Sequence, residues 1–161
     1  MRKKSKRVTA GLIATLAMTM WVPATTANAG CYSSNLTERS FAHKMNLARR
    51  TRGKSSMRLD PQLSKAAKVH TREMVNAASL HHTPSTTLRR RVTNWRILGE
   101  NVGVGGTVTS LHSAFMNSPA HKDNILYSSY RHVGVGTMKR GGRLWVTVIF
   151  EASSDPGSPL C

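Results

Sequence analysis

Along most of this chain apolar side chains return every three or four positions, and near its end they return at every second one. The first spacing predicts helices and the second strands. Phe41, Met45, Leu47 and Ala48 recur along a segment that starts at Thr37-Glu38. It gathers Arg49, Arg50 and Arg52 in its last turn, where cations suit the helix dipole, and it stops at Gly53. Lys54 to Arg58 reads as a loop. Asp60-Pro61 opens a second helix, with Asp as N-cap and Pro at the first helical position. Leu63, Ala66, Ala67, His70, Met74 and Ala77/Ala78 follow on its apolar side, with His70 as a packed or hydrogen-bonded histidine at the core edge. This helix is expected to end near Leu80 and to deliver His81-His82 into a loop.

Pro84 to Asn94 is basic and rich in hydroxyls, and reads as a loop before Trp95 and Ile97 bring the chain back to the core. Thr107 caps a helix carrying Val108, Leu111, Phe115 and Met116, and Ser118-Pro119 restarts a short helical turn that holds His121. Ile125, Leu126 and Tyr127 anchor that turn. His132 to Met138 alternates, Arg140-Gly141-Gly142 makes a turn, and Leu144 to Phe150 is the most β-prone run, so the pair reads as a hairpin. Ile97 to Gly103 is an apolar, glycine-flanked strand or strand entrance, and Gly103-Val104-Gly105-Gly106 a flexible turn that lacks the Lys-Ser/Thr of a phosphate loop. No internal repeat is present. Helices that precede and flank a small antiparallel sheet define an α+β arrangement.

The first residues change the picture of where this fold works. Arg2, Lys3, Lys4, Lys6 and Arg7, an apolar run from Val8 to Val22, and Ala27-Asn28-Ala29 form a signal peptide over residues 1–29, with cleavage after Ala29. Residues 30–161 then form one domain, core about 41–150, without a transmembrane span. Ala29-Gly30-Cys31 also allows a lipoprotein anchored at Cys31, although Asn28 stands where such signals carry an aliphatic residue. The chain has 24 Lys and Arg against seven acids; five of those cations lie in the signal, which leaves 19 and a charge of about +12. For an exported monomer that charge points to anionic wall polymers, lipid headgroups or acidic polysaccharide and argues against nucleic acid, unless it serves solubility alone. Cys31 and Cys161, at the two ends of the exported chain, are expected to form a disulfide.

With so few acids, Glu100 stands out within Ile97-Leu98-Gly99-Glu100-Asn101-Val102-Gly103. A carboxylate in such a run is costly unless it is paired, hydrogen-bonded or bound to a metal. His82 upstream and His121 downstream are the candidate partners, and the three are expected to share one cleft. Two imidazoles and a carboxylate are a ligand set that zinc accepts in hydrolases, with a position left for water. The same trio could do acid–base work, with either histidine as base oriented by Glu100, or serve only as a hydrogen-bonded wall. Ser110, Ser113 and Ser118 are hydroxyl candidates, none of them in a G-x-S-x-G setting.

The Asp60-Pro61 helix, Met74 and His82, Gly99-Glu100-Asn101, the run Phe115 to Leu126, Val133-Gly134-Val135-Gly136 and the terminal aromatic-rich strand occur in an order that resembles the bacterial branch of the CAP superfamily. That superfamily includes cysteine-rich secretory proteins, antigen 5 and pathogenesis-related proteins. The resemblance covers roughly residues 41–150 and implies an α-β-α sandwich, a three-stranded antiparallel sheet between helical layers, with a cleft over the sheet. It also implies that His82, Glu100 and His121 match cleft residues which in some members bind a divalent metal. His82 rather than His81 fits the family's His-Ser/Thr pattern. Neither Phe115–Ser118 nor Arg143-Leu144-Trp145 supplies the second Glu and the later His found in animal and plant members. Phe115 replaces a common Trp, and Ala120-His121-Lys122 the usual Gly-His-Arg.

Overall fold

The computed structural model describes residues 32–153. The expected signal peptide and cleavage site, and both cysteines of the expected disulfide, lie outside the described residues. Five helices and four strands follow in the order α1 (Leu36–Arg50), β1 (Arg58–Leu59), α2 (Pro61–Ala77), α3 (Ser85–Arg91), β2 (Ile97–Gly105), α4 (Val108–Asn117), α5 (Pro119–Leu126), β3 (His132–Arg140) and β4 (Arg143–Ala152). The strands form one sheet in the order β1-β3-β4-β2. The three longer strands are antiparallel, as expected, while β1 adds a two-residue parallel pairing to β3, starting at the last residue of the segment read as a loop. The sheet is therefore four-stranded and mixed, but the layering is the expected α-β-α sandwich.

The sheet's two faces follow from alternation. Val133 and Val135 of β3, with Val146, Val148 and Phe150 of β4, pack with Phe41, Met45, Leu111, Phe115 and Ile125 of α1, α4 and α5. On the other face Ile149 packs with Leu63, Ala66 and Ala67 of α2, and Trp145 with Met74 and Val75 of α2 and Val102 of β2. The positions between the valines of β3 are Gly134 and Gly136. A Cβ on Gly134 would run into the main chain at Leu63 and Ser64, and one on Gly136 into that at Ala67 and Lys68. Helix α2 thus lies directly on the backbone of β3, closer than any side chain permits. Thr71 completes the seam through its hydroxyl, 2.9 Å from both the Gly136 carbonyl and the Thr147 hydroxyl.

Two buried charges tie the layers together. Glu38, wholly buried, caps its own helix by accepting from Asn35 N (3.0 Å), and also accepts from Tyr32 Oη (2.8 Å), Lys68 Nζ (3.2 Å) and Thr137 N (3.1 Å). Arg49, expected merely to complement a helix dipole, is also wholly buried and donates to the carbonyls of Ser55, Ile125, Tyr127 and Tyr130.

Three boundaries differ from expectation. Ser85–Arg91 is helical where a loop was expected, because Leu88 and Val92 bury against the face of α2 that carries Leu63 and Ala67. Strand β2 runs on through Gly103 and Gly105, the expected turn, because pairing with β4 continues to Leu144 and the side chains of Leu111 and Phe115 fill the room over those glycines. Helix α2 ends at Ala77 instead of Leu80: Ala78 turns left-handed at φ 49° and Ser79 N bonds back to Met74 O at 3.1 Å.

Gly134→Ala is expected to destabilise the fold by about 3 kcal/mol, since helix main chain must move to admit one methyl. Ala78→Gly is expected to stabilise it by about 1 kcal/mol by relieving the left-handed conformation. Denaturant midpoints of the two variants, which should move in opposite directions, check both.

Candidate functional site

Helix α2 ends at the position from which residues 79–83 can reach β2. His70, wholly buried on α2, holds this segment by donating from Nε2 to the His81 carbonyl at 2.8 Å, with its ring edge-on to that of His81. It is thus the hydrogen-bonded core histidine expected, and it supports the next residues along. His82 Nδ1 lies 2.8 Å from Glu100 Oε1, which also accepts from Thr83 N at 2.9 Å; Thr83 Oγ1 donates to Oε2 at 2.6 Å. One dipeptide therefore satisfies a carboxylate that is only 6% exposed, while the His82 side chain above it is 60% exposed. A carboxylate only accepts, so the proton of a neutral His82 sits on Nδ1 and the lone pair on Nε2.

Glu100 follows Leu98 in the alternation that faces α2 and α3, and Asn101 faces the other way. Asn101 Nδ2 donates to the His121 carbonyl at 2.9 Å, and Asn124 Nδ2 donates to Asn101 Oδ1 (2.9 Å) and to the Glu100 carbonyl (3.2 Å). These bonds fasten α5 to β2, an edge strand of the sheet. The His121 ring stacks on Phe115, centroids 4.8 Å apart at 21°, and its Nδ1 is 2.8 Å from Ser118 Oγ. Burial first, and the neighbouring His82 charge second, hold the His121 pKa below its ordinary 6.5.

His82 and Glu100 therefore meet directly, and His121 reaches them from the opposite side of β2 through an amide pair. Both rings are anchored through Nδ1. Among the described residues no group of three His, Cys, Asp or Glu side chains stands at metal-ligand spacing. Both Glu100 oxygens accept hydrogen bonds from the His82-Thr83 segment. Of the serines, Ser118 touches a histidine, whereas Ser110 belongs to the cap of α4 with Thr107. Thr83, Asn101 and Asn124 were not singled out from the sequence. Asn124 had a signal, since it lies three residues after His121 on one helix face.

The cysteine-rich secretory protein (CAP) family model matches residues 42–150, and the chain belongs to that family. It is 27% identical over 115 residues to the uncharacterized protein YkwD of Bacillus subtilis (strain 168), a match over 67% of this chain and 44% of that protein. The chain thus spans less than half the length of this curated relative. Among solved structures it is similar to an outer surface protein from Borrelia burgdorferi, with a TM-score of 0.66 and 16% identity over 72% of this chain and 92% of that one. It is also similar to an extracellular SCP-domain protein from Bacillus anthracis str. Ames, with a TM-score of 0.65 and 19% identity over 73% and 40% of the two chains. At these identities the two structures support the fold and nothing finer. Among the described residues no helix is long and apolar enough to cross a membrane.

The lowered His121 pKa gives a signed pH dependence. Near pH 6.5 the unfolded ring takes up a proton while the folded ring stays neutral, so unfolding binds protons there. Stability is therefore highest above that pH and falls as pH drops toward the lowered value. The urea midpoint is expected to decrease from pH 7 to pH 5, and His121→Gln to flatten part of that slope. His112, whose pKa burial also lowers, keeps the remainder.

Proposed function

We propose that the protein is an exported CAP-domain binding module whose His82/Glu100/His121 cleft takes an extracellular or cell-envelope ligand, lipid-like or anionic, without turnover. The observation that carries this reading is the exposed His82 imidazole, held in one orientation by a buried carboxylate that is itself fixed by Thr83. Glu100 orients the His82 ring through Nδ1, and among the described residues no hydroxyl is hydrogen-bonded to the remaining His82 nitrogen as an activated nucleophile would be. What the cleft offers is recognition: an exposed imidazole held in one orientation, a second ring against Phe115, and a hydroxyl at Ser118. The basic balance of the chain favours an anionic ligand group. The protein without residues 1–29 is expected to sediment with purified anionic wall polymer or with phosphatidylglycerol vesicles at low salt. His82→Ala should weaken that binding about tenfold, or roughly 1.4 kcal/mol. Binding to neither probe would refute the reading.

A metal-dependent hydrolase is the second reading. One observation favours it: both histidines are anchored through Nδ1, which leaves each Nε2 available as a ligand, the arrangement that outer partners impose on metal-binding histidines. In that case Glu100 orients a ligand instead of being one. Zinc is expected to raise the melting temperature of the wild type and not of a His82→Ala/His121→Ala double variant, because a ligand bound only to the folded state stabilises it. Equal melting curves with and without zinc would remove this reading.

A further inference from the structure

The geometry points to a second binding site, separate from the histidine cleft, that takes a phosphate-type oxyanion between Arg96 and Arg131. A cavity of about 330 Å³ opens where β2 begins and β4 ends, and is lined by Arg96, Ile97, Ser129, Arg131, Ala152 and Ser153. Ile97 and Ala152 are paired residues of the two strands, so they project from the same side of the sheet. That side is the one Ala152 shares with Phe150 and Tyr130.

Three observations give the site its ligand class. The first is Arg96, whose guanidinium has no hydrogen-bond or ion-pair partner among the described residues, so its donors are available. The second is Arg131, which is held in place without being neutralised. Its Nη1 donates to the main-chain carbonyls of Ser128 (2.6 Å) and Tyr130 (3.3 Å), leaving Nη2 and Nε for a ligand. The third is the surrounding charge. Arg49, buried nearby on four carbonyls and no carboxylate, is close enough for the Arg131 charge to lower its pKa, after the larger effect of burial. Among the described residues no acid lines the cavity. Glu151, the acidic neighbour of Ala152, alternates to the opposite side of β4, where it faces His132 at 3.5 Å.

Two planar guanidiniums at one cavity, one of them fixed by main-chain bonds, match the oxygens of a phosphate group, which such forks bind with paired charge-assisted hydrogen bonds. The Ser129 hydroxyl adds a neutral donor. Ile97, 41% exposed, and Ala152 form an apolar wall, so the space suits a phosphate bearing a small organic substituent such as glycerol. Such a group occurs free in solution and as the headgroup of a phospholipid.

Arg96→Gln is the decisive variant, because its side chain supports nothing else in the fold; Arg131→Gln, which would release two loop carbonyls, serves only as a second measurement. Arg90→Gln removes the same charge from α3, away from the cavity, and is the control. Glycerol 3-phosphate is expected to raise the melting temperature of the wild type saturably, and Arg96→Gln to raise the half-saturating concentration about tenfold while Arg90→Gln leaves it unchanged. Flotation with phosphatidylglycerol vesicles distinguishes the source: loss of flotation in Arg96→Gln identifies the headgroup, and a phosphate effect without flotation identifies the soluble compound. The proposal is overturned if glycerol 3-phosphate gives no saturable shift. It is equally overturned if Arg90→Gln weakens binding as much as Arg96→Gln, for then only net charge matters.

Discussion

A carboxylate taken out of water must find hydrogen-bond donors, and Glu100 finds three in the two adjacent residues His82 and Thr83. That requirement shapes everything around the cleft. It pins an otherwise exposed segment to β2, fixes which nitrogen of His82 carries the proton, and leaves the other nitrogen facing solvent. Removing the carboxylate would release all three contacts together, because one group makes them.

The pairing can form only if α2 stops in the right place. Its position along the sheet is set by Gly134 and Gly136, which let helix main chain rest on strand main chain. Its end is set by the left-handed turn at Ala78, and the His70 bond to the His81 carbonyl steers the next residues toward β2. On the other side Arg49 holds the carbonyls around the end of α5, and Asn101 and Asn124 fasten the same helix to β2. The two histidines are thus carried by separate layers of the sandwich, with one edge strand between them. The two are still near enough across that strand for the His82 charge to be felt at His121.

Much of this was legible in the residues themselves. The Asp60-Pro61 start, the Thr107 cap and the alternating Val133 to Val135 gave elements close to those observed, because each signal is local and strong. The hidden parts depended on partners that lie far along the chain. Ser85–Arg91 carries one apolar residue that matters, Leu88, and becomes a helix only because α2 offers that residue a surface. Arg49 looks like any cation at a helix end until α5 brings it carbonyls. His82 and Glu100 could be paired in advance, since a scarce acid in an apolar strand demands a partner. That Thr83 would take two of the three bonds follows from how the segment after α2 folds back, which spacing alone does not encode.

The organisation of the cleft stands on the ring of His82 being held by Glu100. Nitrogen-15 NMR of the imidazoles at pH 8 tests this directly. In the wild type His82 should be protonated at Nδ1, and in Glu100→Ala, which leaves no acceptor at that position, the preference should collapse to the mixture of a solvent-exposed imidazole while His121 keeps its own pattern. Identical His82 nitrogen shifts in the two proteins would show that the carboxylate does not orient the ring, and the cleft would lose its organising contact.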